Sequence, residues 1–284
     1  MAAPLAGDEV SPRWRDLRLR SLAAAVLAPA ILLLAWLGGL WFELAAMALG
    51  LVTAVEWCRM VFRDDRGQVA IHIASAVLAA PVSLRLGPDW ALAMICVFWA
   101  VSLGRVWTSG DQLSAWRILG VPYVSLPPLA FVILRADPAF GLTAILLIFA
   151  VVWSADSAAY FAGRAIGGPR LAPAVSPNKT WAGLAGAVVA GTLAGLVVAG
   201  LAGLPRLAAI GLLSGALAAV EQAGDLFESA AKRACDTKDA GSLIPGHGGL
   251  LDRADGLIAA ACAAALLGAW RGGFDQAAAG LLIW

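Results

Sequence analysis

The chain alternates long apolar runs with short polar breaks. Residues 1–20 are polar and carry Arg13, Arg15, Arg18 and Arg20; an apolar run then begins at Leu22 and continues past Leu37. About 20 helical residues cross the roughly 30 Å of a bilayer's hydrocarbon. Further runs of this kind lie at roughly 40–58, 69–84, 89–104, 118–134, 139–155, 182–203, 206–224 and 256–270. The pattern predicts an all-α polytopic integral membrane protein with about nine transmembrane helices. Ala28-Pro29-Ala30 loosely resembles a cleavage site, but apolar Ile31 to Leu34 follow directly, which favours a retained first span. Pro29, Pro81, Pro122, Pro127 and Pro128 fall in or near the spans and are expected to kink or interrupt them.

Composition supports this reading. Of 284 residues, 61% are hydrophobic and 14% charged, and the mean hydropathy is +0.82. A soluble domain is about 25% charged. A net charge of +1 argues against nucleic acid as a partner. Cys58, Cys96, Cys235 and Cys262 form no C-x-x-C pair and read as apolar fillers or isolated thiols. If the runs alternate across the bilayer, all Lys and Arg fall on one side except Arg85, Arg135, Arg206 and Arg271. That asymmetry places the N-terminus and the main charged cluster in the cytoplasm. The organisation expected is a cytoplasmic segment at 1–20, membrane helices over 21–135 and a catalytic membrane region over 136–284. A cytoplasmic-facing polar cavity would hold the site.

Charge, glycine and histidine crowd together in Asp225 to Gly256, DLFESAAKRACDTKDAGSLIPGHGGLLDRADG. Hydrocarbon cannot solvate such a cluster, so it must face water, ions or a polar ligand. Carboxylates bind hard cations, Lys and Arg bind phosphate oxygens, and glycine-rich backbone approaches anions. Glu221, Asp225, Ser229 and Lys232 recur at helical intervals and share a face. Beyond Cys235 the glycines, Ser242 and Pro245 break the helix; Asp252 and Asp255 then stand at i, i+3 where it resumes. Asp225 and Asp252 are thus expected to face one pocket and to bind Mg²⁺. The bland alternative is a solvated loop whose charges only orient the protein. His247 serves either phosphate contact and proton transfer or a loop-stapling hydrogen bond. His72 reads as a packed or interfacial residue.

The earlier loop reads WSADSAAYFAGRAIGGPRLAPAVSPNKTWAGLAG. Asp156, Tyr160, Gly163 and Arg164 lie at helical intervals, and Ser154, Ser157 and Tyr160 add hydroxyls suited to a ribose, a base or an ion. Ser176-Pro177-Asn178-Lys179-Thr180 reads as a turn before a helix start, where Lys179 and the Thr180 hydroxyl would meet a phosphate. An ordinary helix cap with one positive-inside lysine is the plainer alternative.

These residues resemble the phosphatidate cytidylyltransferases, or CDP-diacylglycerol synthases. The signature S-x-x-K-R, K-D-x-G, P-G-H-G-G and D-R-x-D is carried by Ser229, Lys232, Arg233, Lys238, Asp239, Gly241, Pro245, Gly246, His247, Gly248, Gly249, Asp252, Arg253 and Asp255. The lead-in G-D-L-x-E-S is Gly224 to Ser229, D-[ST]-x-A-Y-x-x-G-[RK] is Asp156 to Arg164, and S-P-x-K-T is Ser176 to Thr180. Ala182 stands where the family commonly has Glu or Gln, and Ala231 where a bulkier apolar residue is usual.

The resemblance implies that CTP and phosphatidate become CDP-diacylglycerol and pyrophosphate at the inner face of a bacterial plasma membrane. It implies Mg²⁺ on Asp225, Asp252 and Asp255, aided by Asp239 and Asp156, with a second cation such as K⁺. Lys179, Lys232, Arg233 and Lys238 would hold phosphates, alongside His247 and Arg253. Asp156, Tyr160, Arg164, Ser176, Asn178, Thr180, Ser229, Gly246, Gly248 and Gly249 would contact substrate. A homodimer is a further expectation of the resemblance, although the Gly- and Ala-rich seventh span could equally pack within one subunit. The motif D-x-x-D-G at Asp252 to Gly256 also occurs in CDP-alcohol phosphatidyltransferases, but the later acids of that motif are missing here. A CTP-dependent polyprenol kinase, a cytidylyltransferase for another lipid phosphate, and a transporter with a charged cytoplasmic gate are the other readings.

Overall fold

A computed structural model describes residues 12–63, 65–110, 114–241 and 248–284, with side chains described from residue 25 onward. His247, Pro245, Gly246 and Ser242 lie outside the described residues. The chain runs α1 (Pro12–Leu37), α2 (Gly39–Val61), α3 (Arg66–Leu86), α4 (Pro88–Thr108), α5 (Ala115–Ala136) and α6 (Gly141–Ala165). A hairpin of β1 (Arg170–Ala172) and β2 (Ser176–Thr180) follows, then α7 (Trp181–Leu201), α8 (Leu207–Ala234), α9 (Leu251–Gly272), a 3-10 turn and α10 (Ala277–Leu282).

The protein is a polytopic α-helical membrane protein. Among the described residues, eight helices, α2 to α9, are long and apolar enough to cross a membrane, and α1 contributes a shorter apolar stretch, Ala25–Leu37. Helices satisfy their own backbone groups, as a chain in hydrocarbon must. The prolines do not interrupt them: α3 runs through Pro81, and α5 through Pro122, Pro127 and Pro128. Three helices outrun their apolar runs, all at the same end of the bundle. α6 continues to Ala165, α8 to Ala234, and α9 starts back at Leu251. Those extensions carry the polar residues of interest.

Ser176 to Thr180 is not the turn expected from its proline. It is β2, antiparallel to β1, with Arg170 opposite Thr180 and Ala172 opposite Ser176. The Thr180 hydroxyl accepts the Gly183 amide at 3.0 Å and caps α7, so the plainer reading of that residue holds locally.

Each end of the bundle has its own charge ties. At one end, Asp65 caps α3 through Gly67 and Gln68 and receives Arg105 of α4 at 2.8 Å. The hydrogen bond from Arg105 holds the Asp65 carboxyl below its ordinary range. At the other end Arg85 meets Glu43 at 2.6 Å, and Arg135 donates to the Ala35 carbonyl at 2.7 Å. Asp137 there receives the Ala279 amide at 2.8 Å, and Arg271 stacks on Trp284. His72 is fully buried, with Nδ1 2.8 Å from the Gln68 carbonyl, as a packed residue should be.

α6, α7, α8 and α9 pack in sequence, and α5 joins α9 to the helices of the first half. Small residues set how closely they approach. A Cβ on Gly224 of α8 would lie 2.5 Å from the Ala259 Cβ and 2.9 Å from the Asp255 carbonyl of α9. We therefore expect Gly224→Ala to push α8 from α9 and destabilise the protein by about 1–3 kcal/mol, as overpacking generally does. A lowered thermal midpoint in detergent checks this; an unchanged midpoint means that α9 yields without strain.

Candidate active site

The overrunning ends of α6 and α8, with the hairpin and the start of α7, surround a cavity of about 590 Å³. α6 supplies Asp156, Tyr160 and Arg164; the hairpin supplies Arg170, Asn178, Lys179 and Thr180; α8 supplies Gln222 and Asp225. Beside the cavity α6 packs closely on α7, where a Cβ on Gly186 would meet the Ala162 Cβ at 2.6 Å.

Lys179 is the centre of this wall. It is the residue before the α7 cap, so hairpin pairing on one side and the helix on the other define its backbone. Its ammonium lies 2.8 Å from Asp225 Oδ2, 2.9 Å from Gln222 Oε1 and 3.3 Å from the Gln222 carbonyl. The other Asp225 oxygen accepts the Ser229 hydroxyl at 3.3 Å. Gln222 is itself braced, since its amide nitrogen donates to Glu221 at 2.9 Å. Glu221 is 1% exposed and shares a side-chain hydrogen bond with Asp156. Arg164 donates to the Tyr160 hydroxyl at 2.9 Å, and Arg170 donates to the Pro177 carbonyl. Three cations thus stand on one cavity beside Asp156 and Asp225, with a polar chain running behind them.

A second polar knot joins α8 to α9. Lys232 lies 2.6 Å from Glu228 and 2.8 Å from Asp252. Asp252 also accepts the Gly249 amide at 2.8 Å and the Ala240 amide at 3.0 Å, tying down both sides of the α8–α9 connection. Glu228 is 0% exposed. Asp255 accepts the Gly256 amide at 2.8 Å and lies in the field of Asp225 and Glu228.

The expected site residues therefore divide. Asp156, Tyr160, Arg164, Asn178, Lys179, Thr180 and Asp225 line the cavity; Ser229 bonds to Asp225, and Asp255 lies in its electrostatic field. Asp252, expected beside Asp225, faces Lys232 and two backbone amides and is not among the cavity's lining residues. Lys232 is held by two carboxylates, and Arg233 donates to the Val175 carbonyl in the hairpin turn. Lys238 and Asp239 are exposed on the connection after α8. Gly248 and Gly249 pack against Asp252 and Glu56, Arg253 acts electrostatically on Asp156, and Ser176 opens β2. Among the described residues, no three His, Cys, Asp or Glu side chains form a ready metal cage.

Sequence reasoning passed over Gln222, Glu56 and the place of Arg170. Gln222 carries no charge to draw notice. Glu56 could have been found, because a carboxylate inside an apolar span is a functional signal in itself.

A model of the cytidylyltransferase family matches residues 18–270. A protein named phosphatidate cytidylyltransferase from Brucella suis is 40% identical over 256 residues, covering 89% of this chain and 94% of that protein. The proteins of the same name from Pseudomonas aeruginosa and Bacillus subtilis are 37% and 31% identical, each over 86% of this chain and 94% of its own length.

Gln222→Ala removes one acceptor from Lys179, and hydrogen bonds to charged groups are worth about 1.5–3 kcal/mol. We expect Lys179 to become more reactive toward a water-soluble amine reagent, read by mass spectrometry of the labelled peptide. Unchanged labelling would mean that Asp225 and the residue-222 carbonyl hold the ammonium without the Gln222 side chain.

Proposed function

The chain belongs to the cytidylyltransferase family, and on that premise we propose that it transfers the cytidylyl group of CTP to phosphatidate, releasing pyrophosphate and forming CDP-diacylglycerol. The observation that carries this reading is the pairing of Lys179 with Asp225 on a cavity that also presents Arg164 and Arg170. Cations gathered on one wall suit a triphosphate, and the neighbouring carboxylates suit the ion that travels with it.

The chemistry asks for little proton transfer. A phosphate oxygen of phosphatidate, already anionic, attacks the α-phosphorus of CTP; the bond to the β-phosphate oxygen breaks and pyrophosphate leaves with that electron pair. The main barrier is bringing two anions together. Lys179, Arg164 and Arg170 offset phosphate charge and orient the nucleotide. Asp156 and the Tyr160 hydroxyl, both on the cavity wall, would read the ribose or base. Lys232 and Asp252 keep the start of α9 beside α8, which keeps Asp255 within the electrostatic field of Asp225.

The donor chemistry fits a hard divalent cation such as Mg²⁺, which takes one or two carboxylates and leaves its other positions to water and phosphate. Asp225 and Asp255 would hold it, with Asp252 supporting them from the α9 side. When bound, the cation would neutralise charge on the nucleotide phosphates. The site would face the cytoplasm, because the basic residues other than Arg85, Arg135, Arg206 and Arg271 gather at its end of the bundle.

Purified protein given radiolabelled CTP, phosphatidate and Mg²⁺ should yield labelled lipid and pyrophosphate, and EDTA should stop it. Release of CDP with a phosphorylated lipid would instead indicate a kinase, and absence of turnover would favour a transporter. Asp225→Asn and Lys179→Ala should each lower turnover at least about 100-fold, the scale seen when preorganised charge is removed from a transition state. Near-normal rates in a membrane-inserted variant would remove that residue from the site. Asp252→Asn should also abolish turnover, here through loss of the α8–α9 tie.

A further inference from the structure

The first turn of α9 carries Asp252, which ties α9 to α8, and Asp255, yet its own capping position is Leu250, which makes no side-chain cap. The first N–H groups of a helix need outside acceptors. Here they come from α2. Glu56 accepts the Leu250 amide at 3.0 Å with Oε1 and the Leu251 amide at 2.7 Å with Oε2, across 194 and 195 residues of sequence. It is 3% exposed.

The same carboxylate also meets both flanks of the α8–α9 connection. A Cβ on Gly249 would sit 2.7 Å from each Glu56 oxygen, and one on Gly241 would collide with Oε1. Asp252 grips the next atoms along, accepting the Gly249 and Ala240 amides. Glu56 and Asp252 thus hold opposite sides of one short backbone segment. A carboxylate at a helix N-terminus is also favoured by the helix dipole.

We propose that Glu56 is a positioning residue, in a helix outside the cavity, that sets the height and rotation of the first turn of α9 and thereby the places of Asp252 and Asp255. It touches no substrate. Its effect on rate rests on the cytidylyl-transfer reading; its effect on α9 does not. A glutamine at this position keeps the size but offers only one acceptor oxygen, and turns an N–H₂ group toward the second amide.

The test is Glu56→Gln beside Glu56→Asp in the full-length purified protein. Hydrogen–deuterium exchange of the peptide spanning Gly249 to Gly256 should speed up by roughly ten- to a hundredfold in Glu56→Gln, as expected for a lost hydrogen bond to a charged group, while α6 and α7 stay unchanged. kcat should fall by about tenfold or more with KM for CTP within about threefold, because the group acts on placement and not on nucleotide binding. Glu56→Asp, which keeps the charge, should recover part of the rate. Unchanged exchange at α9 overturns the proposal. So does an exchange increase spread over all helices, which marks a purely structural role, or a kcat equal to that of the parent. Absence of turnover in the parent would count against the activity proposed above, while the exchange result would still decide whether Glu56 holds α9.

Discussion

A charged group in or beside an apolar helix needs water or a partner within the protein, because hydrocarbon supplies neither. Most of what distinguishes this bundle follows from that requirement. Lys179 finds Asp225 and Gln222, Lys232 finds Glu228 and Asp252, and Glu56 finds two backbone amides. All but the Lys232–Glu228 pair, which lies within α8, cross from one element to another. Satisfying charge and fixing the relative positions of α2, α7, α8 and α9 are therefore the same act. Leaving one member of such a pair buried alone is strongly destabilising, commonly by about 3–5 kcal/mol, which makes these ties hard to remove singly.

Close packing supplies the other half of the construction. Polar partners on different helices meet at 2.7–3.0 Å only if the helices behind them are close enough. Gly186 brings α7 onto α6, and Gly224 brings α8 onto α9. The cavity is a consequence of where that packing ends. It opens where α6 and α8 run past their apolar stretches and the chain between α6 and α7 turns into a hairpin.

The spans were legible in the sequence because hydrophobic runs and helices coincide in a membrane. Their ends were not, since α6, α8 and α9 continue through polar sequence where hydropathy no longer marks them. The hairpin was misread because Pro177 signals a turn, whereas pairing of Arg170 with Thr180 makes a strand. Helical spacing correctly placed Asp156, Tyr160 and Arg164 on one wall. It could not show that Asp252 turns toward Lys232, because that choice depends on which charge on α8 lies opposite it in space. The carboxylate of Glu56 within an apolar span was itself a signal, but its partners are backbone amides, which leave no trace in residue type.

The resting state of Lys179 has one more implication. Its ammonium already has a carboxylate at 2.8 Å, so an incoming anion must exchange with Asp225 instead of meeting a bare cation. Exchange of this kind blunts ground-state affinity, since the charge is neutralised before the visitor arrives. It equally eases departure: as a spent anionic fragment leaves, Asp225 stands ready to take back the lysine. An enzyme built this way trades tight capture for quick clearance, a sensible bargain where two highly charged molecules must come and go through one opening.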